Sequence, residues 1–276
     1  MQHWAQIEAA RRAQTAQAAL HSCELCPRAC KVNRTEGQKG YCRLDERVCC
    51  FRQMVYDGEE YLLNPSHQIY FSGCNLRCGF CSVAEWNVEP MVVEPLNMDF
   101  LIAEISRRRH QGAKTLNLLG GEPAVNLYGI LELLGRLDPA IIVVWNSNMY
   151  YNDIVDELIR GLVDIFLADF KCGNVDCAGR MLDANGYLDT VKRNILKAKQ
   201  YADVIVRHVV LPGHLDCCLK PILYWLADNM PDVKLSLRFD YVPPADAVDV
   251  PDRYLEKQEA QAAVKMARAL RLNLIQ

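Results

Sequence analysis

Residues 68–82 read QIYFSGCNLRCGFCS. The first five form an apolar and aromatic run of strand length; after them come a glycine and three cysteines within eight positions. A strand that opens into a loop of soft metal ligands raises two questions, which sheet and which metal. Runs of the same kind recur at TLNLL 115–119, IIVVW 141–145, DIFLA 164–168, VIVRHVVL 204–211 and VKLSLRF 233–239. Each is followed by a helix-like segment: DFLIAEISRRRH before Gly112, then LYGILELLGRL, NDIVDELIRGL, GYLDTVKRNILKAKQ, KPILYWLADN and DRYLEKQEAQAAVKMARALRL. Near-continuous apolar strands alternating with amphipathic helices predict a parallel sheet covered by helices.

Six such units are too few for a closed eightfold barrel. The expected class is therefore α/β, a partial (β/α)6 TIM-like barrel with an N-terminal cysteine-rich metal-binding extension; a doubly wound sheet is the alternative. Residues 1–66 read as an N-terminal helix and a cysteine-rich metal-binding segment, 67–250 as the barrel, and 251–276 as a C-terminal helix packed on it. In either topology, chemistry belongs at the carboxyl ends of the strands. The unusual residues do fall there: Cys74, Cys78 and Cys81, then GGEP 120–123, NSN 146–148, DFKCGNVDC 169–177, PGHLDCC 212–218 and DYVPP 240–244.

Composition narrows the function classes. With 276 residues the chain can bury a core without disulfide staples. A net charge of −3, and no basic run interleaved with aromatics, give no footprint for a nucleic acid. No apolar stretch is long enough to span a bilayer, and the N-terminus lacks the apolar centre of a signal peptide. A reducing cytoplasm is the expected compartment. There, thirteen cysteines, an odd count, argue for metal ligation or catalysis rather than a disulfide framework.

The three-cysteine loop is one thiolate short of a closed zinc site or an ordinary cubane cluster. Either a remote cysteine completes a zinc site or the fourth position is left open. Cys23, Cys26, Cys30 and Cys42 supply four thiolates within twenty residues, enough for structural zinc or for an auxiliary iron–sulfur cluster, with Cys49 or Cys50 as substitutes for Cys42.

Cys74-x3-Cys78-x2-Cys81 with Phe80 before the last cysteine resembles the radical S-adenosylmethionine (SAM) signature, and GGEP is similar to that superfamily's second motif. The likeness extends over about residues 67–245. WNSNMY, VDIFLADFK, VIVRHVVLPG and CELCPRACKVNR are similar to segments of the glycyl-radical (pyruvate formate-lyase) activating-enzyme branch. The resemblance implies a [4Fe–4S] cluster on Cys74, Cys78 and Cys81 whose open iron binds SAM. One electron would then cleave SAM to methionine and a 5′-deoxyadenosyl radical that abstracts hydrogen. It also implies an electron donor such as flavodoxin or ferredoxin.

Carried over position by position, Gly120 and Gly121 allow close backbone approach to the cofactor, Glu122 accepts from its ammonium, and Pro123 fixes the turn. Asn146, Ser147 and Asn148 face the ribose, and Lys171 meets the carboxylate. Asp169 belongs to a cation site that the branch completes with an Asp where Asn146 stands, a departure that puts such a cation in doubt. Arg207 lies mid-strand, aimed either at an anionic group or at a buried carboxylate such as Asp169 or Asp240. His208 should face the other way. Cys172, Cys177, Cys217 and Cys218 lie near the expected mouth, as hydrogen-atom donors to a substrate radical or as packing thiols. Three functions follow: hydrogen abstraction from a small-molecule substrate, for instance in an epimerisation; activation of a glycyl-radical enzyme; or a non-catalytic metal or electron-transfer role.

Overall fold

The helix α1 (Gln2–Ala18) precedes a short strand pair, β1 (Cys50–Tyr56) and β2 (Ser66–Phe71), in a computed structural model that describes residues 2–87 and 93–275. Then follow α2 (Met98–His110), β3 (Thr115–Gly120), α3 (Leu127–Leu134), β4 (Ile142–Ser147), α4 (Asp153–Ile159) and β5 (Ile165–Asp169). The remainder is α5 (Val175–Leu182), α6 (Tyr187–Ala198), β6 (Asp203–Val209), α7 (Lys220–Asn229), β7 (Lys234–Arg238), α8 (Lys257–Ala269) and β8 (Asn273–Ile275). Among the described residues the strands form one sheet in sequential order β1 to β8. β1 is antiparallel to β2, and every later pair is parallel.

The sheet is an open α/β barrel. All six expected strands are present within a residue or two of their predicted positions. The expectation of six strands is corrected to eight: β1 and β8 extend the two edges. β1 runs through Cys50, inside what reads as a cysteine-rich segment, and β8 is only three residues long.

Alternation along the strands produces two apolar layers. One face carries Ile69, Phe71, Leu116, Leu118, Trp145, Phe166 and Val206 into the core shared with the helices. The other places Val144, Leu167 and Ile205 in the barrel lumen, where they meet Leu63 and Ile275. The lumen is thus filled from within by the β1–β2 loop, residues 57–65. Full burial of a side chain such as Leu63 is worth about 1.5–3 kcal/mol relative to exposure.

Local signals set the element ends. Asn97 caps α2 by accepting from the Phe100 amide at 3.0 Å, and Gly112, at φ +103°, follows its last turn. α1 buries Ala9, Ala13 and Ala16, a narrow stripe that lets it lie close on α3. α8 starts with a reciprocal capping box between Glu256 and Glu259.

Candidate radical SAM active site

The loop after β2 carries Cys74 and Cys78 into the interior. Cys74 Sγ accepts from the Leu76 amide at 3.4 Å and from Asn148 Nδ2 at 3.8 Å, and Cys81 Sγ accepts from Asn87 Nδ2 at 3.7 Å. Burial pushes the Cys78 thiol up to about 12, with Lys171 opposing and the neighbouring Cys81 adding. Burial raises Cys74 well above the ordinary thiol range, and Cys78, Glu122 and Cys81 add to it. Three thiols on one loop, amide donors aimed at two of them, and a lysine close to Cys78 are placed to carry negative charge that a metal group would balance.

The β3–α3 turn lies directly under this loop. The Gly121 amide donates to Phe71 O at 2.7 Å and the Glu122 amide to Gly73 O at 3.0 Å. A Cβ on Gly121 would stand 1.9 Å from Gly73 O and 2.4 Å from Asn87 Oδ1, so the close approach requires glycine. Glu122 is buried and turned inward. It accepts from Ser147 Oγ at 2.7 Å, the Asn148 amide at 2.9 Å and the Ala124 amide at 3.1 Å. Burial outweighs these donors and lifts its carboxyl to about 7. Gly120, Glu122, Ser147 and Asn148 are therefore gathered with Cys74, and Pro123 opens the short 3-10 turn Pro123–Asn126 that leads into α3.

Asp169, Lys171, Arg207 and Asn146 form a second group at the ends of β4, β5 and β6. Arg207 Nε donates to Asp169 Oδ1 at 2.6 Å, Nη2 to Asn146 Oδ1 at 2.7 Å and Nη1 to Glu59 Oε1 at 2.7 Å. Lys171 Nζ donates to the other Asp169 oxygen at 2.9 Å. Burial opposes both ionisations, but attraction wins: Asp169 is held below the ordinary carboxylate range by Arg207 and Lys171, and Lys171 is raised by Asp169 and Cys78. Of the two carboxylates considered for Arg207, Asp169 is its partner, while Asp240 pairs with Arg238 at 2.6 Å. The positive charge between Asn146 and Asp169 is thus a guanidinium. His208 points to the opposite face, buried, with Nδ1 2.7 Å from Phe170 O.

Glu59 and Glu60 escape a reading of the sequence. In DGEEYLLNP they have the composition of a solvated turn. In the fold they enter the lumen: Glu59 meets Arg207, Gln68 and Asn117, and Glu60 Oε1 accepts from Ser236 Oγ at 2.8 Å. Burial, with Glu60 and Asp169 adding against the pull of Arg207, raises Glu59 to about 7. Leu63, three residues after Glu60 and fully buried, is the apolar anchor that holds this loop inward.

The N-terminal cysteines come together beside the cluster loop. Burial raises Cys26 to about 12, with Cys42, Cys23 and Cys30 close enough to add to the shift. Tyr41 donates its amide to Cys30 Sγ at 3.4 Å, and Arg34 Nη1 lies 4.0 Å from Cys23 Sγ. Cys49 and Cys50 are apart from this group: Cys49 bridges to Pro95, and Cys50 Sγ donates to Arg52 O at 3.0 Å. The segment braces the cluster loop. Arg28 and Arg77 stack on the Tyr41 ring at 3.7 and 4.2 Å, and a Cβ on Gly73 would meet Cys42 O at 2.7 Å.

Residues 69–226 match the family model described as the Radical SAM superfamily. This chain belongs to the radical SAM superfamily. It is 36% identical over 263 residues to "Uncharacterized protein MJ0674" of Methanocaldococcus jannaschii, covering 92% of this chain and 76% of that one. Over 105 residues, 37% of the chain, it is 35% identical to the ribosomal protein uS12 methylthiotransferase RimO of Chlorobaculum tepidum, of which it spans 23%. Over 120 residues, 41% of the chain, it is 26% identical to "Putative glycyl-radical enzyme activating enzyme MJ1227" of M. jannaschii, spanning 46% of it. The structure of Streptococcus suis SuiB bound to the precursor peptide SuiA shares the fold at 13% identity and a TM-score of 0.56, covering 73% of this chain and 46% of SuiB.

Membership in the radical SAM superfamily implies a [4Fe–4S] cluster and SAM, and supports an enzyme that cleaves SAM. The site fits those groups. Cys74, Cys78 and Cys81 come from one loop, with amide donors on Cys74 and Cys81, and such a thiol set suits an iron–sulfur cluster. Asn146 Nδ2, buried, has no partner among the described residues and remains a free donor. Among the described residues no helix is long and apolar enough to cross a membrane.

Cys172, Cys177, Cys217 and Cys218 lie in the loops after β5 and β6. Cys172 is fully buried, with Cys218 and Cys78 near enough to raise its thiol above the ordinary range. Cys177 and Cys217 stand 4.0 Å apart, with His214 between them, a residue the sequence does not single out.

Proposed function

We propose that this radical SAM protein abstracts hydrogen from a small-molecule substrate, with SAM and a [4Fe–4S] cluster held at Cys74, Cys78 and Cys81. When bound, the cluster supplies the electron that cleaves SAM to methionine and a 5′-deoxyadenosyl radical. The chain's own residues bind and position. Gly120 and Gly121 let the β3–α3 turn pack directly against the cluster loop, and Lys171 offers its ammonium near Cys78 to a carboxylate. Asn146 offers its free amide to the ribose, and Glu122 braces the turn from within. Arg207 positions Asp169, which in turn holds Lys171.

The observation that carries the small-molecule reading is the cover on the cluster loop. The β7–α8 connection lies across it: a Cβ on Gly79 would meet Val250 Cγ1 at 2.8 Å, and Tyr241 packs edge-on against Phe80 with ring centroids 6.4 Å apart. Tyr241 is fixed there by donating its hydroxyl to Pro251 O at 2.5 Å. A cluster loop covered in this way favours a ligand that can be enclosed and kept from water over a glycine presented on another protein. Cys23, Cys26, Cys30 and Cys42 supply a donor set for a second metal group, zinc or an auxiliary cluster, against the same loop.

Activation of a glycyl-radical enzyme is the second reading, favoured by the 26% identity to the putative activating enzyme. Incubation of the reduced protein and SAM with a candidate partner separates the two. A glycyl doublet in electron paramagnetic resonance would establish the activase. Deuterium transfer from a labelled metabolite into 5′-deoxyadenosine would establish the small-molecule reaction.

A further inference from the structure

We propose that Cys177, His214, Cys217 and Cys218 form a mononuclear zinc site that pins the β5–α5 loop to the turn after β6, distinct from the Cys74–Cys78–Cys81 loop and from the N-terminal cysteines. The four donor atoms all lie within 4.8 Å of one another. His214 Nδ1 is 3.7 Å from Cys177 Sγ, 3.2 Å from Cys217 Sγ and 3.9 Å from Cys218 Sγ, and Cys177 and Cys217 are 4.0 Å apart. Zinc bonds of about 2.3 Å to sulfur and about 2.0 Å to nitrogen, set tetrahedrally, give edges of about 3.8 Å between sulfurs and about 3.5 Å between sulfur and nitrogen. The three sulfur–nitrogen distances bracket the second value, and the Cys177–Cys217 distance lies close to the first. A cubane cluster places each cysteine on a separate iron and needs a wider spread, so the geometry selects a single ion.

The backbone builds this arrangement from two sides. His214, Cys217 and Cys218 fall at positions i, i+3 and i+4, and the π-helical turn Leu215–Leu219 brings the three onto one side. Cys177 comes from the first turn of α5, capped by Asn174, whose Oδ1 accepts from the Cys177 amide at 2.8 Å. The Asn174 amide then ties the two sides together. Its Nδ2 lies 3.1 Å from Cys177 Sγ, 3.9 Å from Cys218 Sγ and 2.7 Å from Cys217 O. Donors of this kind around the sulfurs are what stabilise metal-bound thiolates. Gly173 permits the close meeting of the loops, since a Cβ there would stand 2.0 Å from Cys218 O.

Three cysteines and one histidine leave no open coordination position, the mark of a structural ion. The site lies one loop away from Lys171 and fixes the wall of the cofactor end. Three of the four mouth thiols are then ligands, and a hydrogen-donor role in the proposed reaction rests on Cys172 alone.

The test compares the full-length protein, purified anaerobically, with its Cys177→Ser/Cys217→Ser variant. Zinc, iron and sulfide are measured on both, with X-ray absorption at the zinc edge. The expected result is a loss of about one zinc per chain with iron unchanged, and loss of a three-sulfur, one-nitrogen zinc signal. Equal zinc in both proteins, iron falling in step with zinc, or a Cys177–Cys217 disulfide in the native protein would overturn the site. Should the double variant fail to fold, Cys217→Ser alone, at the exposed rim, and His214→Cys serve instead. His214→Cys is expected to retain zinc with a four-sulfur signal, and a zinc spectrum unmoved by either substitution contradicts the proposal.

Discussion

Arg207 Nε stands 2.6 Å from Asp169 Oδ1, and the two residues are register partners on neighbouring parallel strands. The contact joins two parts of the barrel. On one side Arg207 reaches Glu59 in the loop that fills the lumen; on the other Asp169 holds Lys171 beside Cys78. Support for the cofactor end therefore runs through the barrel to the β1–β2 loop.

Replacing Arg207 by Met leaves Glu59 without its counter-ion and Asp169 with Lys171 alone. The expected loss of stability is about 3–5 kcal/mol, measured by urea unfolding under anaerobic conditions. Arg207→Lys keeps the charge but cannot reach Asp169, Asn146 and Glu59 at once, so its loss should be smaller. Adding Asp169→Asn to Arg207→Met should recover part of the deficit, the signature of a shared pair. A loss under about 1 kcal/mol for Arg207→Met would be the range of an exposed pair and would contradict this.

Two carboxyl groups in this network push the pH dependence in opposite directions. Glu59 is raised to about 7, so between the ordinary carboxylate range and that pH the folded state keeps a proton the unfolded chain has released. Stability contributed there falls as pH rises through the window. Asp169 is lowered, so its contribution is present at neutral pH and is lost as pH falls below the ordinary Asp range. Glu122 adds to the first effect. Glu59→Gln should therefore flatten the decline of stability between about pH 5 and pH 7 without removing it. A pH profile of unfolding that is identical in the variant would refute the raised Glu59.

Gly121 and Gly179 make a matched pair of alanine substitutions. At Gly121 the new methyl group meets the Gly73 carbonyl at 1.9 Å, so the cluster loop must move. Gly121→Ala should lower the iron bound per chain and cost about 1–3 kcal/mol or more through overpacking. At Gly179, inside α5, nothing lies within 4 Å, and Gly179→Ala should stabilise by about 0.5–1 kcal/mol with iron content unchanged. Calorimetry and iron analysis of both variants check the contrast.

Much of the barrel is legible in the chain because its strands are buried on both faces and so read as unbroken apolar runs. IIVVW and DIFLA need no partner to be recognised. β1 is not, because CFRQMVY is a half-buried edge strand with neither an unbroken apolar run nor a clean alternation, and it begins at Cys50. β8 has only NLI. α5, in VDCAGRML, hides behind a glycine and a short length. At the site, the three-cysteine loop, GGEP and Lys171 are readable because spacing along one loop survives folding. The pairing of Arg207 with Asp169 and Asn146 depends on strand register, and Glu59 and Glu60 depend on a loop turning inward. His214 becomes informative only when α5 brings Cys177 to it. Contacts across distant segments carry little local signal.

The central claim is that this radical SAM protein cleaves SAM at Cys74, Cys78 and Cys81. The direct measurement uses the anaerobic protein, with its iron and sulfide content established, reduced in the presence of SAM. The account predicts 5′-deoxyadenosine and methionine in equal amounts, both absent in the Cys78→Ala variant. Intact SAM after reduction of a protein that carries its full cluster would contradict it.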